Sequence, residues 1–259
     1  KYIFFREIYD PFSFDKSEIF EINNFIGNSK KQLFFKNVKS PTSSTFYPIK
    51  ESLYAEYAVS EAVDYSCSYV DCKPLGELLP TNLNTIEFAK IDIEGAEYEA
   101  MDSLSSKALL PSILEVEISL FAREGTIQPY KFLEYLKDIG YELLDIRKNY
   151  SYRKSSFLGG SGKDLRKRLQ ANPYIPSAMG KLSLVDGLFI NYKQLEKLAP
   201  ENILAVCFCL AQYRQYNEAI GLFESRHDNT TMLRFYEWLS THHEILSSAL
   251  TSSPGAIIG

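Results

Sequence analysis

The stretch Phe88-Ala89-Lys90-Ile91-Asp92-Ile93-Glu94-Gly95-Ala96-Glu97 decides the fold, because an apolar strand ends in acids and a glycine before a helix begins. Apolar residues then recur at helical spacing from Ala96 to Leu104, which predicts a helix directly after strand 86–91. In open α/β sheets, ligands gather at the carboxyl ends of parallel strands. We therefore predict a ligand site at Asp92 and Glu94.

The residues after this motif repeat the alternation of strand and helix. A strand is predicted at 113–118, a helix follows through Ile139 and stops at Gly140, and further strands are predicted at 141–146 and 182–190. This order is typical of an α/β fold with a mainly parallel sheet, covered by helices on both faces. The last two strands are expected to form its antiparallel closing edge.

The flanking regions differ in character from this core. The first 80 residues suggest strands at 2–9, 19–26 and 32–35, whereas residues 194–259 are helical. We predict an α/β domain over 1–193, which includes a basic loop or lid at 147–181, and a helical region over 194–259. The latter resembles one tetratricopeptide-type hairpin with its turn near Arg214-Gln215, followed by a helix over 232–250; it either caps the domain or continues into further repeats.

Composition excludes several classes of function. A net charge of -5 argues against nucleic-acid binding, and no apolar run is long enough to span a membrane. Four scattered cysteines favour a reducing cytoplasm and lack the spacing of a metal site, so we predict cytoplasmic localisation and no bound metal. Because the chain begins at Lys1 rather than Met, we expect a fragment or a processed chain.

The central motif, Lys90-Ile91-Asp92-Ile93-Glu94-Gly95-Ala96-Glu97, resembles the Lys-Ile-Asp-Val-Glu-Gly-Ala-Glu-like segment of FkbM-type methyltransferases. Shorter segments at 24–28, 43–44, 113–118, 140–143 and 185–190 are similar to other parts of that family. The resemblance covers about residues 19–192. It implies a Rossmann-like methyltransferase sheet and S-adenosylmethionine as cofactor.

The resemblance also implies roles for individual residues. Asp92 would lie nearest the cofactor's methyl end, with Glu94 or Glu117 as the general base. The cofactor would further contact Gly95, Glu97 and, on its adenine side, Gly27 and Asn28. The residues themselves leave an alternative for Glu97, which is also an ordinary acid at a helix start.

Two features depart from the family pattern. The family opens with a strand and an Asp-x-Gly-Ala-type cofactor loop, and no such loop precedes residue 19. Its Thr-Leu-Asp before the central strand is replaced by Pro74-Leu75-Gly76. We therefore expect an N-terminally incomplete sheet, with the cofactor loop either upstream in a longer parent chain or absent.

The acceptor site is predicted from two further segments. Ser43 and Ser44 are candidates for substrate contact, although a serine pair after a proline also suits a plain turn. The basic segment 147–168, which includes Arg153 and Lys154, is interpreted as a lid over an anionic acceptor or as a solvated loop.

These observations leave two hypotheses for function. The first is methyl transfer to a hydroxyl of a sugar, glycolipid or small natural product. The second is a methyltransferase-like domain that has lost catalysis and serves as a binding or scaffold module, with a protein partner on its C-terminal helices. Fold resemblance does not choose between them.

Overall fold

The computed structural model describes residues 2–6, 18–22, 24–28, 31–39, 41–50, 52–53, 64–152, 181–225, 235–237 and 240. The chain divides into two compact units, one formed by residues 1–4 and 21–194 and the other by residues 5–20 and 195–259. Within the described residues, no helix combines the length and apolar character that crossing a bilayer requires.

Five strands precede the central motif and form two small sheets. The first sheet pairs β1 (Tyr2–Arg6) with β2 (Glu18–Ile22), and the second has the order β3-β5-β4, formed by Phe25–Ile26, Tyr65–Lys73 and Lys31–Asn37 respectively. The sequence did not predict β5, because its residues are mostly polar or small and exposed on both faces. Antiparallel pairing with β4 and parallel pairing with β3 define it instead.

The four-stranded sheet carries the central motif. Its order is β6-β7-β9-β8, formed by Phe88–Ile91, Ile113–Ser119, Lys181–Ile190 and Glu142–Tyr152 respectively. Strands β6 and β7 are parallel, whereas β9 runs antiparallel to both β7 and β8. The predicted antiparallel closing edge is confirmed, and β6, β7 and β8 share one direction, as expected of a Rossmann-like α/β domain.

The longer helices lie where the apolar spacing predicts them, whereas the two helices of four residues each were not predicted. The helices are α1 (Leu75–Leu78), α2 (Glu97–Ser106), α3 (Pro129–Asp138), α4 (Tyr192–Leu195), α5 (Pro200–Gln212) and α6 (Tyr216–Glu224). Leu104 of α2 and Leu136 of α3 share a core cluster with Leu114 and Val116 of β7. Both helices therefore cover the same face of the sheet; helical cover on its other face stays a prediction.

One boundary in this sheet differs from the sequence prediction. We placed the end of a strand at Ile146 and a basic loop from Arg147, but β8 continues to Tyr152. The residues from Lys148 to Tyr152 pair with β9, and the pairing of β8 with β9 contains three register irregularities. Charged residues are common on an edge strand such as β8, since they discourage further strand pairing. The predicted loop is therefore shorter at its start, and its residues 153–180 lie outside the described part of the chain.

The second unit contains a helical hairpin. Helices α5 and α6 pack on each other and are joined through Arg214, whose φ of 61° turns the chain. In this unit Phe223 stacks on Phe235 with ring centroids 4.4 Å apart. The turn lies where the sequence predicts it, whereas the likeness to tetratricopeptide repeats stays a prediction. The helix predicted over 232–250 lies largely outside the described residues.

Candidate active site

The turn after β6 presents the acids of the central motif. Asp92 follows the strand directly and is exposed, whereas Glu94 and Gly95 turn the chain with φ values of 57° and 111°. A Cβ atom at position 95 would lie 2.8 Å from Cδ of Arg123. Glycine is required here for both its conformation and its size.

We expect Gly95→Ala to lower the free energy of unfolding by about 2 to 4 kcal/mol, because the new methyl group meets Arg123 in a backbone conformation that disfavours L side chains. The matched change is Gly221→Ala on the exposed side of α6, where no atom lies within 4 Å of the new methyl. That variant should gain about 0.5 to 1 kcal/mol from helix propensity. Urea unfolding measures both. Equal effects would contradict the close approach of Arg123 to this turn.

Glu97 holds the turn from the first residue of α2. Its side chain is buried, and Oε1 accepts hydrogen bonds from the backbone N–H groups of Ile93 and Gly95, both at 3.0 Å. Burial raises the pKa of Glu97, although Arg123 and these N–H groups oppose the shift. Glu97 thus fixes the loop on which Glu94 stands. Its predicted contact with a cofactor stays a prediction.

Arg123 connects this turn to the segment that contains Thr45 and Tyr47. Its Nη1 donates to the carbonyl oxygens of Glu94 and Tyr47, at 3.0 and 3.3 Å, and its Nη2 donates to Oε2 of Glu94 at 3.3 Å. The Thr45 hydroxyl donates a further short hydrogen bond to the Glu94 carbonyl. Because Arg123 is 8% exposed, these bonds are shielded from water.

Glu117 reaches the same point from the neighbouring strand. Ile91 of β6 is in register with Val116 of β7, so Asp92 and Glu117 follow side by side where β6 ends. One oxygen atom from each of Asp92, Glu94 and Glu117 lies within 4.8 Å of the others. The structure thus brings together all three residues that the sequence assigns to catalysis.

The environment of Glu117 strongly disfavours its charged form. Burial raises the pKa of Glu117 to about 9, the carboxylates of Glu94, Asp92 and Glu97 add to the shift, and Arg123 opposes it. Burial likewise raises the pKa of Glu94 despite its contact with Arg123. The surroundings of Glu117 therefore favour its protonated form.

A second charged group lies on the same face of the sheet. Lys90 Nζ contacts Glu115 at 2.5 Å and Asp186 at 3.8 Å, and Asp186 lies opposite Glu117 in the pairing of β7 with β9. Burial lowers the pKa of Lys90, but its carboxylate neighbours raise it further, so the shift is upward overall. This face is therefore predominantly acidic, and Lys90 and Arg123 contribute its opposing charges.

Two hollows adjoin the carboxylates. A cavity of about 30 Å³, lined in part by Gly95, Glu117 and Arg123, has room for water but not for a nucleoside. Beside it, the end of β7 and the start of α3 form an open apolar groove of about 390 Å³, whose lining includes Leu120, Phe121, Pro129, Tyr130 and Leu133. The cavity itself therefore excludes a nucleoside, and Asp92 is the exposed member of the three carboxylates.

The predicted adenine-side residues lie in the β3-β5-β4 sheet region. The buried Gly27 donates its N–H to the Lys73 carbonyl at 3.2 Å, and the exposed Asn28 accepts a hydrogen bond from Gln32 at 3.1 Å. Gln32 also donates to the Tyr47 hydroxyl at 3.3 Å. Through Tyr47, whose carbonyl accepts from Arg123, this turn is linked to the acidic site.

The residues predicted to bind substrate fall into two groups. The Ser44 hydroxyl donates to the Pro41 carbonyl at 2.7 Å and accepts from the Asn37 N–H at 3.0 Å, which is the geometry of a plain turn. Ser43 is the last residue of the short 3₁₀ segment Pro41–Ser43, directly before Ser44. Their contact with substrate stays a prediction. Arg153 and Lys154 lie outside the described residues.

The sequence analysis missed the residues that hold the site together, namely Arg123, Thr45 and Tyr47. Arg123 lies four residues beyond the end of β7, in a segment without a recognisable motif. Buried acids at adjacent strand ends require a cation, and this requirement was the one available sign of such a residue. Thr45 directly follows the serine pair and bonds to the Glu94 carbonyl, a contact that no local pattern indicates.

An α/β sheet with acids at the carboxyl ends of adjacent parallel strands is typical of the Rossmann-like class of ligand-binding enzymes. The comparison with protein families narrows this class, since the family described as methyltransferase FkbM domain matches residues 10–143. The chain belongs to this family, which confirms the resemblance stated from its motifs. No curated protein and no solved structure matches the chain.

Proposed function

We propose that this chain catalyses S-adenosylmethionine-dependent methyl transfer to a hydroxyl of a sugar, glycolipid or small natural product. Membership of the family supports methyl transfer in general. The observation that carries the finer proposal is the meeting of Asp92, Glu94 and Glu117 within 4.8 Å at the ends of two parallel strands. Such a cluster favours a cationic ligand, and the methyl donor is a sulfonium cation.

The residues of the site fit the charge of that donor. When bound, S-adenosylmethionine supplies an electrophilic methyl group on positively charged sulfur. Asp92 is exposed beside the partly buried Glu94, so its carboxylate is available to the charged part of the donor. Gly95 allows close approach of a ligand to the turn, and the turn at Gly27 and Asn28 is assigned to the adenine side.

Glu117 is the better supported of the two candidate bases. Glu94 already accepts a hydrogen bond from Arg123, whereas burial gives Glu117 a pKa of about 9 and hence a high affinity for a proton. A cationic ligand near Glu117 favours its charged form, in which it can accept the proton of an acceptor hydroxyl. Alignment of that hydroxyl with the methyl group supplies much of the remaining rate acceleration.

The apolar groove indicates which kind of acceptor the site suits. It adjoins the cavity beside Glu117, and both are lined by Phe121 and Pro129. An acceptor with an apolar part, such as a glycolipid or an aromatic natural product, would bury that part in the groove and present its hydroxyl to the carboxylates. An anionic acceptor and a cytoplasmic location remain part of the proposal on sequence grounds alone.

Calorimetry with S-adenosylmethionine tests this function. We expect the protein to bind the cofactor, and Asp92→Asn to weaken binding at least about tenfold, because the variant loses one charge-assisted contact to the donor. The matched control is Asp138→Asn on the exposed surface of α3, which should leave the affinity unchanged within about twofold.

The result that would end the enzyme hypothesis is an absence of binding heat at millimolar cofactor while circular dichroism shows a folded protein. It would favour the second hypothesis, a methyltransferase-like binding module. If cofactor binds but Asp92→Asn and Asp138→Asn behave alike, the assignment of Asp92 is wrong although the function stands.

A further inference from the structure

The three clustered carboxylates have the spacing of ligands around one metal ion. Two oxygen ligands of the same ion lie at most about twice the ion–oxygen distance apart, which is roughly 4.2 Å for Mg²⁺ and roughly 5 Å for Ca²⁺. The oxygens of Asp92, Glu94 and Glu117 all lie within 4.8 Å of one another. Separations of up to 4.8 Å are compatible with a Ca²⁺-sized ion after a slight inward movement of the side chains, and with a smaller ion after a larger one.

A separate observation shows that this cluster lacks a partner. Glu117 is 7% exposed, yet its carboxyl group makes no hydrogen bond and no ion pair within the described part of the chain. Buried carboxyl groups are otherwise hydrogen-bonded or paired, since desolvation without a partner is costly. Because an oxygen of Glu117 lies within 4.8 Å of oxygens of Asp92 and Glu94, a cation between these side chains would be a partner for all three.

The surrounding charges indicate the charge of that partner. Arg123 contacts Glu94 at 3.3 Å and is itself buried, so it balances one of the three carboxylates. Glu97, which is buried beside the same Arg123, is a further acid, so the carboxyl groups outnumber the cations at this turn. A divalent cation would offset this excess, and carboxylate oxygens suit hard ions such as Ca²⁺, Mn²⁺ and Mg²⁺.

We propose that Asp92, Glu94 and Glu117 bind one divalent cation of this hard class, with the exposed Asp92 on its path from solvent. This site replaces the prediction of no metal, which considered the cysteines rather than the acids. Binding itself requires only the three carboxylates. A further role, in which the cation orients an acceptor hydroxyl, rests on the proposed function.

Manganese binding to the intact, cofactor-free chain tests the proposal. After removal of metals with a chelator, Mn²⁺ is titrated and the free ion is measured by electron paramagnetic resonance. We expect one ion per chain, displaced by Ca²⁺. Glu117→Gln and Asp92→Asn should each weaken binding at least about tenfold, whereas Glu134→Gln, a change of an exposed acid on α3, should alter it less than twofold.

Thermal unfolding guards against variants that bind poorly because they are misfolded. Millimolar Ca²⁺ should raise the melting temperature of the wild type and of Glu134→Gln but not that of Glu117→Gln, which should itself melt cooperatively. The proposal is overturned if the wild type retains no Mn²⁺ at millimolar concentration, or if Glu117→Gln binds as tightly as the wild type. Neither result affects the proposed function, because cofactor binding is measured separately in the presence of chelator.

Discussion

Replacing Arg123 by methionine is expected to lower the free energy of unfolding by about 3 to 5 kcal/mol, because the change leaves buried acids without their cation. Arg123 lies against Glu94 and opposes the upward pKa shifts of Glu97 and Glu117. Methionine fills much of the same space, so the loss measures charge and hydrogen bonding rather than a cavity. Urea unfolding followed by circular dichroism gives the difference.

Two further variants separate the causes of this loss. Arg123→Lys keeps the charge but loses the forked contacts to Glu94, so it should fall between the wild type and Arg123→Met. Arg147→Met removes a cation whose partner Asp145 lies at 3.0 Å in a partly exposed pair, and it should cost less than about 1 kcal/mol. A loss at position 123 no larger than that at position 147 would show that Arg123 does not stabilise the acidic turn.

The expected importance of Arg123 illustrates what the sequence could predict about this site. The sequence was sufficient to predict Asp92, Glu94 and Glu117 as site residues, because a parallel pair brings the ends of successive strands to one edge of the sheet. Their meeting follows from the register of Ile91 with Val116, which places Asp92 beside Glu117. The local sequence pattern and a general rule of sheet topology were therefore sufficient to predict these three residues.

The contacts that hold the acidic turn in place could not be predicted from the sequence in this way. Thr45 and Arg123 both bond to the Glu94 carbonyl although they are far apart in the chain, and neither position follows from local periodicity. The same limit explains the extent of β8, whose residues up to Tyr152 are strand because they pair with β9. Partner choice in three dimensions overrides weak local propensity in each case.

Glu117→Gln should make the protein more stable at neutral pH, in the presence of a chelator, and the gain should grow with pH. Below about pH 4 both the folded and the unfolded chain hold the Glu117 proton, so the wild type and the variant should differ little. Above that, the unfolded chain loses the proton while the folded protein retains it, since the folded pKa is raised to about 9. The wild type should therefore become progressively less stable than the amide variant as the pH rises from about 4 towards 9.

Urea unfolding at pH 5, 7 and 9 measures this gap, with Glu134→Gln on the exposed face of α3 as the matched control that should track the wild type at each pH. If the difference in the free energy of unfolding between the wild type and Glu117→Gln does not change with pH, Glu117 is already ionised in the folded protein. The direction of the effect bears on mechanism, because a carboxyl group that destabilises the fold when charged is one that a nearby cation can switch to its base form. A widening difference would thus show that the fold holds Glu117 in a position where its charged form is destabilising, which is the property that the proposed base requires.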